Sequence, residues 1–227
     1  MKKEKKIEVK GFPLIKIKSK EIIEKMIKGS FYMNSLKVFR EMYDENDDVV
    51  GDPNEGKLII SNGNVIIPGV VDEEVHNYPF ATSHQDDFVF CMFGVNPEKY
   101  DNFVFSEEQK EQLKGFDDTA LIITDTSEFC KRVNRAAELK GYEISCGFVI
   151  YYDEESDDVR RLFSLMMGGM GNIVFYKTQK YSYQQEFRFA VENKTGEDHI
   201  ELDIGDISDI SYVLPVEQLF DGIVAKR

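Results

Sequence analysis

The sequence predicts an α+β fold, one domain rich in antiparallel strands, and three observations predict it. Short apolar runs of strand length recur at residues 88–93, 119–124, 142–152 and 184–191. Residues 127–140 carry the best helical stripe, with Phe129, Val133, Ala136, Ala137 and Leu139 before a stop at Gly141. No internal repeat or low-complexity linker divides the 227 residues, a length that suits one large domain.

Taken in order, residues 7–18 alternate partly (Ile15, Ile17) around Gly11-Phe12-Pro13. They read as part of a basic extended arm, residues 1–18, ahead of a domain spanning 19–227. Ser19 suits the N-cap of a helix over 20–28 whose Ile22, Ile23, Met26 and Ile27 share a face, and Gly29 suits its stop. A strand over 31–34 and a turn or short helix over 35–40 follow, then loops at 44–48 and 51–56. Residues 57–67 read as a hairpin turning at Ser61-Asn62-Gly63-Asn64, because Asn-Gly tolerates the positive φ of a tight turn. Beyond the strand at 142–152 come an acidic loop over 153–158 and a helix over 159–167 ending at Gly168-Gly169. Strands at 173–176, 184–191, 199–204 and 211–214 lead to a short helix from Val216.

Candidate chemistry concentrates between Tyr176 and Val191. Alternation puts Gln185, Phe187, Phe189 and Val191 on a core face and Gln184, Glu186, Arg188 and Ala190 on the opposite one. That second face is approached by Lys177, Lys180, Tyr181 and Tyr183, and is either a solvated sheet surface or the floor of a polar cleft. Other signals are weaker. Asp52 and Glu55 stand three apart in a Gly/Pro loop, a spacing that suits a hard cation or, more commonly, an ordinary turn whose Asp caps the backbone. His76, His84 and His199 lack the spacing of a metal site. Cys91 lies in an apolar strand and reads as core rather than nucleophile. Gly168-Gly169-Met170-Gly171 follows a helix, unlike a dinucleotide fingerprint, and Met166, Met167 and Met170 read as core filler.

The net charge is −14, unevenly spread: 12 Lys and Arg against 4 Asp and Glu over residues 1–40, and 16 against 38 over the rest. Such an acidic body disfavours nonspecific nucleic-acid binding except through the basic amino-terminal arm. It serves solubility, or imitates nucleic acid toward a basic partner protein. Three cysteines without a Cys-x-x-Cys pair argue for a reducing compartment and against a disulfide framework. No apolar run of signal-peptide length follows the charged amino terminus, and no stretch anywhere nears membrane-spanning length, which points to a soluble, cytoplasmic protein with no membrane partner.

A resemblance rests on the order of four motifs: Gly29 then Phe31 to Arg40, Gly51 to Gly56, Phe90-Cys91-Met92-Phe93, and Tyr181 to Arg188. This order resembles a group of largely uncharacterised bacterial and phage proteins that is in turn similar to the ADP-ribosyltransferase fold, a split antiparallel sheet gripping NAD in a cleft. The resemblance implies that Gln184-x-Glu186 corresponds to the Gln/Glu-x-Glu element of such enzymes, with Glu186 and Gln184 catalytic. It also implies that Tyr32, Asn34, Ser35, Tyr181, Tyr183 and Arg188 hold the cofactor NAD. The chain departs from that pattern in two places. The strand read as first offers Tyr32 and Asn34 in place of Arg or His, and Thr82-Ser83 or Cys91 are nearest to the Ser-Thr-Ser or Tyr of the second.

Three readings follow: an NAD-dependent mono-ADP-ribosyltransferase acting on a protein or nucleic-acid acceptor; a catalytically inactive relative that binds a nucleotide, a small molecule or a protein, such as a phage-encoded inhibitor of a host defence; and an acidic protein-interaction module.

Overall fold

The computed structural model describes residues 6–43, 51–65, 75–82, 84–95, 105–113, 115–155, 172–221 and 224–226. The helix expected over 159–167 with its Gly168-Gly169 stop, the three methionines beside it and the loop at 44–48 lie outside these residues.

Near-continuous apolar runs such as Phe88 to Gly94 bury best in a sheet covered on both faces, and the chain builds one of eight strands. In chain order the elements are β1 (Lys6–Glu8), β2 (Leu14–Lys18), α1 (Lys20–Ile27), β3 (Ser30–Ser35), α2 (Leu36–Glu41), β4 (Ile59–Val65), β5 (Val75–Ala81) and β6 (Phe88–Gly94). Then come α3 (Glu107–Leu113), β7 (Thr119–Ile123), α4 (Thr126–Leu139), β8 (Ile144–Phe148), β9 (Ile150–Tyr152) and β10 (Tyr176–Thr178). The chain closes with β11 (Glu186–Val191), β12 (His199–Asp203), β13 (Ser211–Pro215), α5 (Val216–Phe220) and β14 (Val224–Lys226). The architecture is α+β, and every pairing in the main sheet is antiparallel.

The sheet forks at β6. One edge of β6 pairs along its whole length with β11, which in turn pairs with β8. The other edge is shared. Phe88 and Val89 pair with β3, whereas Phe93 and Gly94 pair with β2. From there β3 continues to β12, and β2 continues to β7 and β13. Phe90, Cys91 and Met92 thus face a gap between two diverging branches, which α1 spans as the connection from β2 to β3.

One face of the trunk collects Leu14, Phe31, Phe88, Phe90, Phe187, Phe189 and Val191 beneath Phe129, Val133 and Ala137 of α4 and Ile23 and Met26 of α1. Phe31 lies 4.2 Å from Phe90 and 5.5 Å from Phe189, ring to ring, in the tilted and edge-on contacts aromatic rings favour. The opposite face of the β2–β7–β13 branch packs Ile15, Ile17, Phe93, Ile122 and Leu214 against Leu113, Leu219 and Phe220. Helix α4 starts where Asp125 accepts a hydrogen bond from the Glu128 amide at 2.9 Å, an N-cap two positions ahead of the expected helix. At Gly29 the backbone has φ +107°, and a Cβ would sit 2.7 Å from Asp203 Oδ1 and 2.8 Å from the Gly205 backbone. Only glycine fits this joint between α1 and β3.

Several expectations are corrected. Leu14–Lys18, expected in an extended arm, is an inner strand flanked by β6 and β7, because Ile15 and Ile17 find a buried face there. No hairpin turns at residues 61–64. Strand β4 runs through them to pair with β5, and the Asn-Gly step falls where the register shifts, a bulge rather than a turn. Residues 173–175 form a 3-10 turn before β10, and 179–184 form another, so the polar strand begins at Glu186. Ser19 precedes α1 without a side-chain cap bond. Among the described residues no helix is long and apolar enough to cross a membrane.

Candidate functional site at the sheet fork

The gap between the branches opens a cleft of about 550 Å³. Ile15, Lys16 and Ile17 of β2 form one wall, Tyr32 and Asn34 of β3 the other, and Phe90, Cys91 and Met92 lie along the fork, with Glu186, Arg188, Lys177 and Glu55 behind them. Most of its lining is apolar, with a few convergent charged groups, the composition of a site for an organic ligand.

Those charged groups form a buried quartet. Lys177 Nζ lies 2.8 Å from Glu186 Oε1 and 3.2 Å from Glu55 Oε2. Arg188 Nε donates to Glu186 Oε2 at 2.7 Å, and its Nη1 donates to the Val174 carbonyl at 2.6 Å. The same Nη1 is 2.7 Å from Glu55 Oε1, but off the line of its N–H, so that contact is ionic and no hydrogen bond reaches Glu55 Oε1. All four side chains are under a tenth exposed, with Arg188 at 1%. Lys177 also donates to Gln184 Oε1 at 2.8 Å, and the Glu186 amide donates to the Tyr151 hydroxyl at 2.9 Å. Burial disfavours ionised Glu186, but Arg188 and Lys177 outweigh it and hold the carboxyl well below the usual range. Burial likewise opposes charge on Lys177, and Glu186 and Glu55 reverse that, raising it. Asp52 is different: burial, then the nearby Glu55, pushes its carboxyl up. Its Oδ1 accepts from the Asn54 amide at 2.9 Å, the turn-capping role the sequence suggests.

The backbone just before Glu186 is unusual. Gln185 is the one non-glycine residue with positive φ (40°) among those described, and its carbonyl accepts from the Gly94 amide at 2.8 Å. This left-handed step converts the 3-10 turn into the strand and so aims Glu186.

Lys16 is the cation that sequence reasoning missed. Its Nζ donates to the Cys91 carbonyl, which faces the unpaired part of the fork, and sits 4.6 Å from the centroid of the Phe90 ring. Burial lowers its pKa to about 8, against a smaller upward pull from Cys91 and Glu186. Burial, followed by Glu186, pushes the Cys91 thiol up to about 12, which keeps it protonated and supports a core role over a nucleophilic one. The lysine shift has a stability signature. Because folding depresses the pKa of this base, the unfolded chain holds more protons between about 8 and 10.5, so stability rises with pH across that window. Urea melts should show the rise in the wild type and its loss in Lys16→Met; parallel curves for the two would disprove it.

Of the residues the sequence singled out, Tyr32, Asn34, Gln184, Glu186 and Arg188 line this cleft. Tyr32 is half exposed and stacks on His199 at 4.7 Å. Tyr181 is buried away from it, with the ammonium groups of Lys177 and Lys180 at 4.5 and 4.6 Å from its ring. Tyr183 sits against Gln109 of α3 through its carbonyl. Ser35 is buried at the end of β3 and lines no part of the cleft. Arg188, expected beside an open cleft, is the most buried member of the quartet. Glu55 entered the sequence reading as a turn residue or, with Asp52, a cation ligand, and nothing in its spacing from Glu186 announces their meeting. Among the described residues no three His, Cys, Asp or Glu side chains are placed to hold a metal ion. Compared with models of protein families, with curated proteins and with solved structures, the chain matches none.

Proposed function

We propose that the fork cleft is a nucleotide site of the ADP-ribosyltransferase-like kind, taking NAD, in a protein that binds it without turnover. The observation that carries this reading is the fork itself, which sets a cation, Lys16, and a carboxylate, Glu186, on the strands either side of Cys91 in one apolar cleft. The fork agrees with the split antiparallel sheet that the resemblance implies. Tyr32, on the cleft wall, offers its ring to a planar base or nicotinamide, while Lys16, Lys18 and Lys25 line the walls where phosphates would lie. Glu186 keeps lone pairs beyond those used by Lys177 and Arg188, enough to accept from ribose hydroxyls.

The quartet favours binding over chemistry. Stabilising a developing oxocarbenium ion needs an uncompensated negative charge, and here two carboxylates face two cations within 3.2 Å. A mono-ADP-ribosyltransferase is the second reading, supported by the place of Glu186 on the cleft lining. Calorimetry with NAD, beside label transfer and nicotinamide release from labelled NAD, separates them. Wild type should release heat on binding and no nicotinamide, and Lys16→Gln should weaken binding by about tenfold, the loss of one charged contact. Affinity should also fall as pH rises through about 8, where Lys16 loses its charge. Nicotinamide release that disappears in a folded Glu186→Gln variant would establish the transferase instead. No heat and no turnover would leave the acidic interaction module.

A further inference from the structure

On the side of the sheet covered by α4, two cysteines are brought together that the sequence leaves unrelated. Cys146 of β8 is the cross-strand partner of Phe189 and shares its face. Helix α4 lies on that face, its Phe129 ring 5.7 Å from Phe189, and Cys130 is the next residue along the helix. The two cysteines line one shallow surface pocket together with Ser127, Lys131 and Arg135. Cys146 is exposed and Cys130 partly so, and neither is in a disulfide. Among the described residues strand β8 pairs on one side only, with β11, and no described strand covers Cys146 from outside.

From this juxtaposition we infer that Cys130 and Cys146 form a reversible thiol–disulfide modification site, oxidised by hydroperoxides, that tethers helix α4 to the edge strand β8. The chemistry balances in two steps. The Cys146 thiolate attacks the terminal peroxide oxygen; the O–O bond breaks, the leaving oxygen takes a proton and departs as water or alcohol, and Cys146 becomes a sulfenic acid. The Cys130 sulfur then attacks that sulfur, the S–O bond breaks, and the hydroxyl leaves with the Cys130 proton as water. Two thiols are oxidised and one peroxide is reduced. The order follows from the pair itself. The hydrogen bond from Cys130 lowers the Cys146 thiol to about 7, while the same contact, then burial, raises that of Cys130. The exposed sulfur is thus the nucleophile and the more buried one resolves. This site is independent of the fork cleft and of the nucleotide reading.

The full chain would be treated with stoichiometric hydrogen peroxide, then alkylated, weighed intact and mapped by peptides. The expected result is loss of two hydrogens within a single chain and a linked Cys130–Cys146 peptide that dithiothreitol releases. Cys146→Ser, a change at an exposed position, should form no link. Cys130→Ser should accumulate a Cys146 sulfenic acid that dimedone captures, and should move the pH midpoint of Cys146 alkylation up from about 7 toward that of an ordinary thiol. Full alkylation of both cysteines after peroxide, or a Cys146 link between chains in place of the internal one, would overturn the inference.

Discussion

Replacing Arg188 by alanine is expected to lower the unfolding free energy by roughly 3–5 kcal/mol, because it strands buried carboxylates without a partner. Arg188 touches both Glu55 and Glu186 and is 1% exposed. Its removal leaves Lys177 alone to balance two carboxylates that are each under a tenth exposed. The loss should equal that of Phe189→Ala, which opens a cavity among Phe31, Phe129 and Phe187 and is also worth roughly 3–5 kcal/mol. The alternating strand alone would have assigned the arginine a far smaller effect. Both faces of β11 are buried, so equal damage from the two substitutions does not mean the faces are interchanged. Urea denaturation measures both. A loss under about 1 kcal/mol for Arg188→Ala, the value of an exposed pair, would show that the quartet is hydrated in solution.

Deleting residues 1–18 is expected to abolish cooperative folding altogether. The deletion removes β2, which joins β6 to β7 and so connects one branch to the trunk. It strips Leu14, Ile15 and Ile17 from the core, each under a tenth exposed. At about 25 cal/mol per Å² of apolar surface, such a side chain is worth roughly 1.5–3 kcal/mol, and three of them approach the whole stability of an ordinary domain. Removing only residues 1–10 should be milder, since it takes Ile7, Val9 and the pairing of β1 with β14 but leaves the sheet connected. Circular dichroism and a sharp thermal transition would decide. A cooperative melt from the longer deletion would mean that β7 can close directly on β6.

How far the sequence could be read follows from the range of the interactions. Local signals gave β6, β7, β12 and α4 to within a residue and β11 from the third residue of its expected span onward, because apolar spacing and stop residues act within a few positions. The core face of β11 was legible for the same reason. The site was half legible. Glu186, Arg188 and Lys177 announce themselves as a polar row next to basic residues, but whether that row meets water depends on what covers it. Here the cover includes Glu55, whose approach no spacing rule encodes. Lys16 was hidden more thoroughly. In Leu14–Lys18 two lysines alternate with isoleucines, which is how a half-exposed edge strand reads; the fork lets such a strand lie inside a sheet because the ammonium reaches the carbonyl that the missing strand pairing would have satisfied.

The forked sheet also bears on the order of assembly. The strands that meet at β6 come from remote parts of the chain, with Lys16 and Cys91 separated by 75 positions and the β11 partner of Cys91, Arg188, farther again beyond. Closing loops of that size before any pairing repays them makes such topologies slow to fold. During synthesis β2 and β6 emerge long before β11, leaving the apolar residues of β6 and its second hydrogen-bonding edge waiting for a partner. Refolding should therefore be slow for a chain of this length, and nascent chains stopped short of Val191 should be the aggregation-prone species, with the cleft coming into existence only when the last trunk strand arrives.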